Sequence, residues 1–119
     1  MSECRVLIVD DDEDTRDALM AALDGAGLCL EQANDGTSGL ERIARGDIDV
    51  VLLDMHLPDM SGTDFLERLA AMPAVDTRPV MLTADSRVRL IDYASGAKLL
   101  HKPVSIDELE EAVKEACAA

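Results

Sequence analysis

The sequence is nearly devoid of aromatic residues: in 119 positions it has no tryptophan, one phenylalanine, Phe65, and one tyrosine, Tyr93. Any core must therefore be packed from Leu, Val, Ile, Ala and Met, which suits strands sandwiched between helices. Basic residues are also scarce, 11 against 25 acidic ones, and the formal charge is −14. Such a chain repels phosphate backbones and anionic headgroups, so no nucleic-acid or membrane partner is expected. An apolar run near membrane-span length and an N-terminal signal pattern are both lacking, and a soluble cytoplasmic protein is expected. Cysteine is limited to Cys4, Cys29 and Cys117, an odd number without CxxC spacing. That argues against a disulfide framework or a zinc site, and small buried thiols are expected. With no linker, repeat or low-complexity tract, residues 1–119 read as one domain large enough for a real core.

What is present is an alternation. The strand Arg5 to Val9 contains the apolar run Val6-Leu7-Ile8-Val9 and stops at Asp10, Asp11 and Asp12, as a fully buried strand ends at a loop. Ala18, Leu19, Ala22, Leu23 and Ala26 recur at helical spacing and predict a first helix from about Asp14 to Ala26, ended by Gly25 and Gly27. Leu28 to Ala33 reads as a second strand, Asn34-Asp35-Gly36 as a turn, and Leu40, Ile43 and Ala44 as the inner face of a second helix. Val50 to Leu53 repeats the opening pattern and ends on Asp54, followed by a loop from Met55 to Gly62. Phe65, Leu66, Leu69 and Met72 predict a third helix, and Pro79 to Leu82 a fourth strand ending on Thr83 and Ala84. A short fourth helix is expected over Asp85 to Tyr93, then a fifth strand over Lys98 to His101, closed by Lys102-Pro103. Ser105 with Glu108 forms a capping box for the last helix, whose apolar stripe is Ile106, Leu109, Val113 and Ala116. Strands and helices alternating at this spacing imply a parallel sheet covered on both faces, which binds ligands at the carboxyl ends of its strands.

Those ends carry Asp10, Asp11, Asp54, Thr83 and Lys102. Carboxylates crowded into one pocket raise each other's pKa unless a divalent cation neutralises them. Mg²⁺ matches: it is hard, takes oxygen ligands, and uses one or two carboxylates together with waters and phosphate oxygens. One carboxylate can then attack phosphorus to give an acyl phosphate, with Lys102 and Thr83 holding the phosphoryl oxygens. Taken singly, these residues have ordinary roles. Thr83 fits a strand, Lys102 a surface, Asp54 a strand-end cap, and the Asp10-Asp11 pair a helix cap. Glu13, Asp14 and Asp17 read as a solvated helix face, and Met20, Met72 and Met81 as core filler. His101 reads as structural, and His56 as a loop residue that could tune water access, with Asp85 opposite.

In combination the motifs are specific. Val6-Leu7-Ile8-Val9-Asp10-Asp11-Asp12, Leu52-Leu53-Asp54 with its loop to Gly62, Leu82-Thr83-Ala84 and Lys102-Pro103 together resemble the receiver domain of bacterial two-component response regulators, over essentially the whole chain. The resemblance implies a flavodoxin-like, doubly wound (βα)5 sandwich with a five-stranded parallel sheet in the order 2-1-3-4-5. It also implies phosphorylation of Asp54, with Mg²⁺ held by Asp11, Asp54 and the backbone carbonyl of His56, and by Asp10 through a water. Thr83 and Lys102 would contact the phosphoryl group, and the Lys102-Pro103 bond would be cis. The implied donor is a histidine kinase or histidine phosphotransfer domain, and the implied protein is a switch rather than an enzyme, a monomer or a weak phosphorylation-dependent dimer. Two departures stand out: Leu99 occupies a position where the family usually has an aromatic, and the stretch from Thr83 to Lys102 is a few residues short, so an abbreviated, displaced or mobile fourth helix is expected. The ending Leu99 to Val104 also resembles receivers attached to hybrid sensor kinases. A haloacid-dehalogenase-type phosphohydrolase, with Asp10 as nucleophile and Asp12 as acid, fails at Asp14 and gives Asp54 no role. A calcium loop over Asp10, Asp12 and Asp14 fails at Thr15 and Ala21. An unphosphorylated receiver-like scaffold is the remaining alternative, and the five intact site residues argue against it.

Overall fold

The computed structural model describes residues 3–55, 57–73, 75–84 and 98–118. Along them run β1 (Cys4–Val9), α1 (Glu13–Leu23), β2 (Leu28–Ala33), α2 (Gly36–Ala44), β3 (Val50–Asp54), α3 (Gly62–Ala70), β4 (Arg78–Thr83), β5 (Lys98–His101) and α4 (Ile106–Ala118). Every strand pairing is parallel, and the order β2-β1-β3-β4-β5 is that of the expected flavodoxin-like sheet. The helix expected over Asp85 to Tyr93, its abbreviation, Asp85 and His56 all lie outside the described residues.

Buried strands read as continuous apolar runs because both faces of the sheet are covered. Leu7, Val9, Val51, Leu53 and Met81 face a cluster that contains Ile43 of α2 and Phe65, Leu66 and Leu69 of α3. Val6, Ile8, Val50, Leu52, Val80 and Leu82 face the opposite cluster, with Leu23 of α1 and Leu109, Ala112 and Val113 of α4. The period-2 alternation of strand side chains thus divides the apolar residues between two cores. Leu99 is half-buried against the first. No helix among the described residues is long and apolar enough to cross a membrane.

Five local expectations are corrected. Cys4 and Cys117 are not separate thiols: they form a disulfide across a sequence separation of 113, joining the start of β1 to the last turn of α4, and only Cys29 is free. Spacing could not reveal a pair that only the closed sandwich brings together. Ile106 fits the helical stripe yet is 60% exposed, because the buried side of α4 begins at Leu109 and continues through Ala112 and Val113. Ala44, assigned to the inner face of the second helix, is exposed. The supposed turn at Asn34-Asp35-Gly36 is a helix start: Asp35 is the N-cap of α2 and its carboxylate accepts from the Ser38 N–H. At α4 the capping box is half made. Ser105 Oγ accepts from the Glu108 N–H at 3.1 Å, while the Glu108 carboxylate accepts from the Ser105 hydroxyl rather than from its backbone.

Candidate functional site

Four strands deliver carboxylates or their partners to one end of the sheet. Asp10 and Asp11 follow directly on β1, Asp54 ends β3, and one carboxylate oxygen from each of the three lies within 4.8 Å of the others. Lys102 follows β5 and places its ammonium 3.7 Å from Asp54 Oδ1. Thr83 ends β4, is buried, and its carbonyl accepts from the Lys102 N–H at 2.7 Å, which ties the fifth strand's exit to the site. All five residues expected from the motifs are therefore brought together, and the Lys102-Pro103 bond is cis as expected.

The trio is graded in exposure: Asp10 is buried, Asp54 half-buried and Asp11 exposed. Burial raises the Asp10 pKa above the ordinary carboxylate value, the Asp12 N–H on its carboxylate lowers it, and the Asp54 charge raises it further. A cation close to this group would reverse that penalty. The donor set is all oxygen, with room for ligands on the exposed Asp11 side, and so fits a hard cation of the Mg²⁺ type.

The loop after Asp54 is fastened at both ends. Met55 N–H donates to Leu82 O at 3.1 Å, and Gly62 N–H donates to Met55 O at 2.8 Å. A Cβ on Gly62 would lie 3.1 Å from Met55 Cα, so this closure needs glycine. Between them, Asp59 reaches the N-terminus of α2, where its carboxylate accepts from the N–H groups of Gly36 and Thr37 and from the Thr37 hydroxyl. Met60 lies over Gly36, where an added Cβ would approach its Cγ to 2.6 Å. Sequence reasoning missed Asp59, whose partners are more than 20 positions away, and Arg16, whose guanidinium donates to the Asp10 carbonyl. Neither carries a local signal, since an acidic loop residue and a basic helix residue are both ordinary. Asp35 did carry one: an Asx residue just before a helical stripe.

Comparison with known proteins follows the same outline. The transcriptional regulatory protein DltR of Streptococcus agalactiae is 36% identical over 110 residues, which is 88% of this chain and 48% of that protein. The sensory/regulatory protein RpfC of Xanthomonas campestris is 35% identical over 106 residues, 84% of this chain and 15% of that protein. The chain thus spans half or less of the length of these curated relatives. Among solved structures, a response regulator receiver domain protein from Clostridium thermocellum superposes with a TM-score of 0.86 at 27% identity, covering 97% of this chain and 94% of that one. A CheY-like receiver domain protein from Methanospirillum hungatei gives 0.85 at 30% identity, with 98% and 95% covered. The family model for the response regulator receiver domain matches residues 6–114, and with the acidic trio, Thr83 and Lys102 gathered at the ends of a 2-1-3-4-5 sheet, the chain belongs to that family.

Proposed function

We propose that residues 1–119 act as a single phosphoacceptor switch, taking a phosphoryl group onto Asp54 from a histidine kinase or histidine phosphotransfer partner in the cytoplasm. The observation that carries this reading is the acidic trio within 4.8 Å beside a lysine ammonium 3.7 Å from Asp54. An Asp54 carboxylate oxygen attacks phosphorus in line; the phosphorus–nitrogen bond to the donor imidazole breaks, and its electron pair stays on the nitrogen. Asp11, Asp54 and the backbone carbonyl of His56 would hold Mg²⁺, with Asp10 acting through a water. Bound there, the ion supplies charge neutralisation between carboxylates and phosphoryl oxygens. Lys102 and Thr83 hold the phosphoryl oxygens, the first by charge and the second by its hydroxyl. The chain catalyses only the gain and loss of its own phosphoryl group, and its output is a changed affinity for a partner.

Incubation with a small-molecule phosphodonor and Mg²⁺, followed by intact mass measurement, tests this. One adduct of about 80 Da, the mass of a phosphoryl group, is expected, absent in Asp54→Asn and absent with EDTA. An unmodified chain would favour a scaffold, and an adduct that persists in Asp54→Asn would move the acceptor elsewhere. Steady turnover of a phosphomonoester would instead point to a phosphohydrolase.

A further inference from the structure

Arg16 lies in the first turn of α1, half-buried, outside the five residues just described. Its Nη1 donates to the Asp10 carbonyl oxygen at 2.8 Å and its Nε to Gln32 Oε1 at 3.0 Å. One planar guanidinium therefore ties α1 to the exit of β1 and, through Gln32, to β2. Asp10 is held at two other points: its N–H donates to Ala33 O at 3.2 Å, and its Oδ1 accepts from the Asp12 N–H at 2.9 Å. Because a peptide group is planar, holding the Asp10 carbonyl also sets the plane that leads into Asp11. Both residues belong to the acidic trio.

We propose that Arg16 is a positioning residue for the cation site, its forked donors setting the Asp10-Asp11 peptide so that both carboxylates meet Asp54. This rests on reading the trio as a Mg²⁺ site. Surroundings single out Arg16 among its neighbours. With Arg42 and Arg45 it lines a cleft of about 420 Å³ at the β2 edge of the sheet. Arg42 is committed elsewhere, its Nε and Nη2 to Glu31 and its Nη1 to the Gly46 carbonyl. The Arg45 side chain makes no hydrogen bond or ion pair among the described residues. Lysine could not replace Arg16, since an ammonium lacks the planar fork that serves two acceptors at once.

The sign of the effect separates positioning from charge. A guanidinium bonded to the Asp10 carbonyl carries a positive charge that opposes a second cation by Coulomb's law, so deleting it for charge alone would tighten Mg²⁺ binding. Loss of positioning weakens binding, by about 10-fold or more where outer partners orient metal ligands. The measurement is Mg²⁺ affinity, read from NMR shifts of the Asp11 and Asp12 amides, in the unaltered chain and in Arg16→Ala, Arg16→Lys, Gln32→Ala and Arg45→Ala. Expected are a loss of about 10-fold in Arg16→Ala, a loss in the charge-conserving Arg16→Lys, a smaller one in Gln32→Ala, and none in Arg45→Ala. Should Arg16→Ala fail to fold, Arg16→Lys and Gln32→Ala carry the test, because both keep the charge. Unchanged or tighter binding in folded Arg16 variants overturns the proposal, as does an equal loss in Arg45→Ala. Absence of Mg²⁺ binding by the unaltered chain would instead overturn the cation reading on which the proposal stands.

Discussion

Asp59 completes a helix that it does not belong to. The first four N–H groups of an α-helix have no partner within it. In α2 the Gly36 and Thr37 N–H groups go to Asp59 at 2.9 and 2.8 Å, that of Ser38 to the Asp35 carboxylate, and that of Gly39 to the Asp35 carbonyl. The Thr37 hydroxyl and the Gly36 and Thr37 N–H groups hold the Asp59 carboxyl down at about 2, below the 3.8 of a free aspartate. A carboxylate depressed in the folded state stabilises fully above its unfolded pKa and loses that contribution as pH falls through the folded value. Loss of this cap should cost about 1 kcal/mol, the usual worth of an N-cap side chain. Urea unfolding of Asp59→Ala against the unaltered chain is predicted to show that gap at pH 7 and to show it narrowing between about pH 4 and about pH 2. A gap that stays constant to pH 2 would mean that the ionised carboxylate is not what caps the helix.

At the scale of elements, the disulfide gives α4 a second attachment. The packing of that helix on the sheet centres on Leu109, Ala112 and Val113, Glu115 pairs with Lys98 of β5, and its opening residue Ile106 is largely exposed. A cross-link stabilises chiefly by restricting the unfolded chain, and one spanning 113 positions removes much of that freedom. Reduction is predicted to lower stability by about 2–4 kcal/mol, and Cys117→Ser to reproduce the loss without reductant; an unchanged midpoint on reduction would show the thiols unlinked. In a reducing compartment the same pair is open, so the two cores alone must support the fold there. Those cores were legible in the sequence because Val6 to Val9 and Val50 to Leu53 are apolar at every position, a pattern that only a sheet covered on both sides requires. The site was legible for a related reason: each functional residue stands where such a run stops, so the fold itself gathers them. Ile106 and Ala44 were misread because periodicity gives the direction of a helix face but not how far the neighbouring layer extends beneath it. Asp59, Arg16 and the Cys4–Cys117 pair were illegible since each acts on a residue remote in sequence, and nothing local marks such a contact.

For the molecule as a whole, charge is the dominant long-range term. Acidic residues outnumber basic ones by 25 to 11 on a body of 33 × 31 × 26 Å. At 10 mM salt the Debye length is about 30 Å and the excess acidic charges repel one another across the domain, whereas at 150 mM it is about 8 Å and only neighbours interact. Among the described residues the opposing attractions are few and partly exposed: Glu31 with Arg5 and Arg42, Glu115 with Lys98, Glu110 with Lys114, and Asp54 with Lys102. Pairs of this kind are each worth about 0–1 kcal/mol, so relief of repulsion should win and the thermal midpoint should rise with NaCl. A midpoint that falls with salt would mean that the ion pairs outweigh the net charge. Mg²⁺ divides the general effect from the local one. Compared at equal ionic strength, it should stabilise the unaltered chain beyond NaCl, by about 2.7 kcal/mol when present at 100 times its Kd. Asp54→Asn keeps nearly the same net charge but removes one carboxylate of the trio, so the response to NaCl should survive in it while the excess due to Mg²⁺ shrinks. An excess of the same size in that variant would show the ion acting on the acidic surface at large rather than at the ends of β1 and β3.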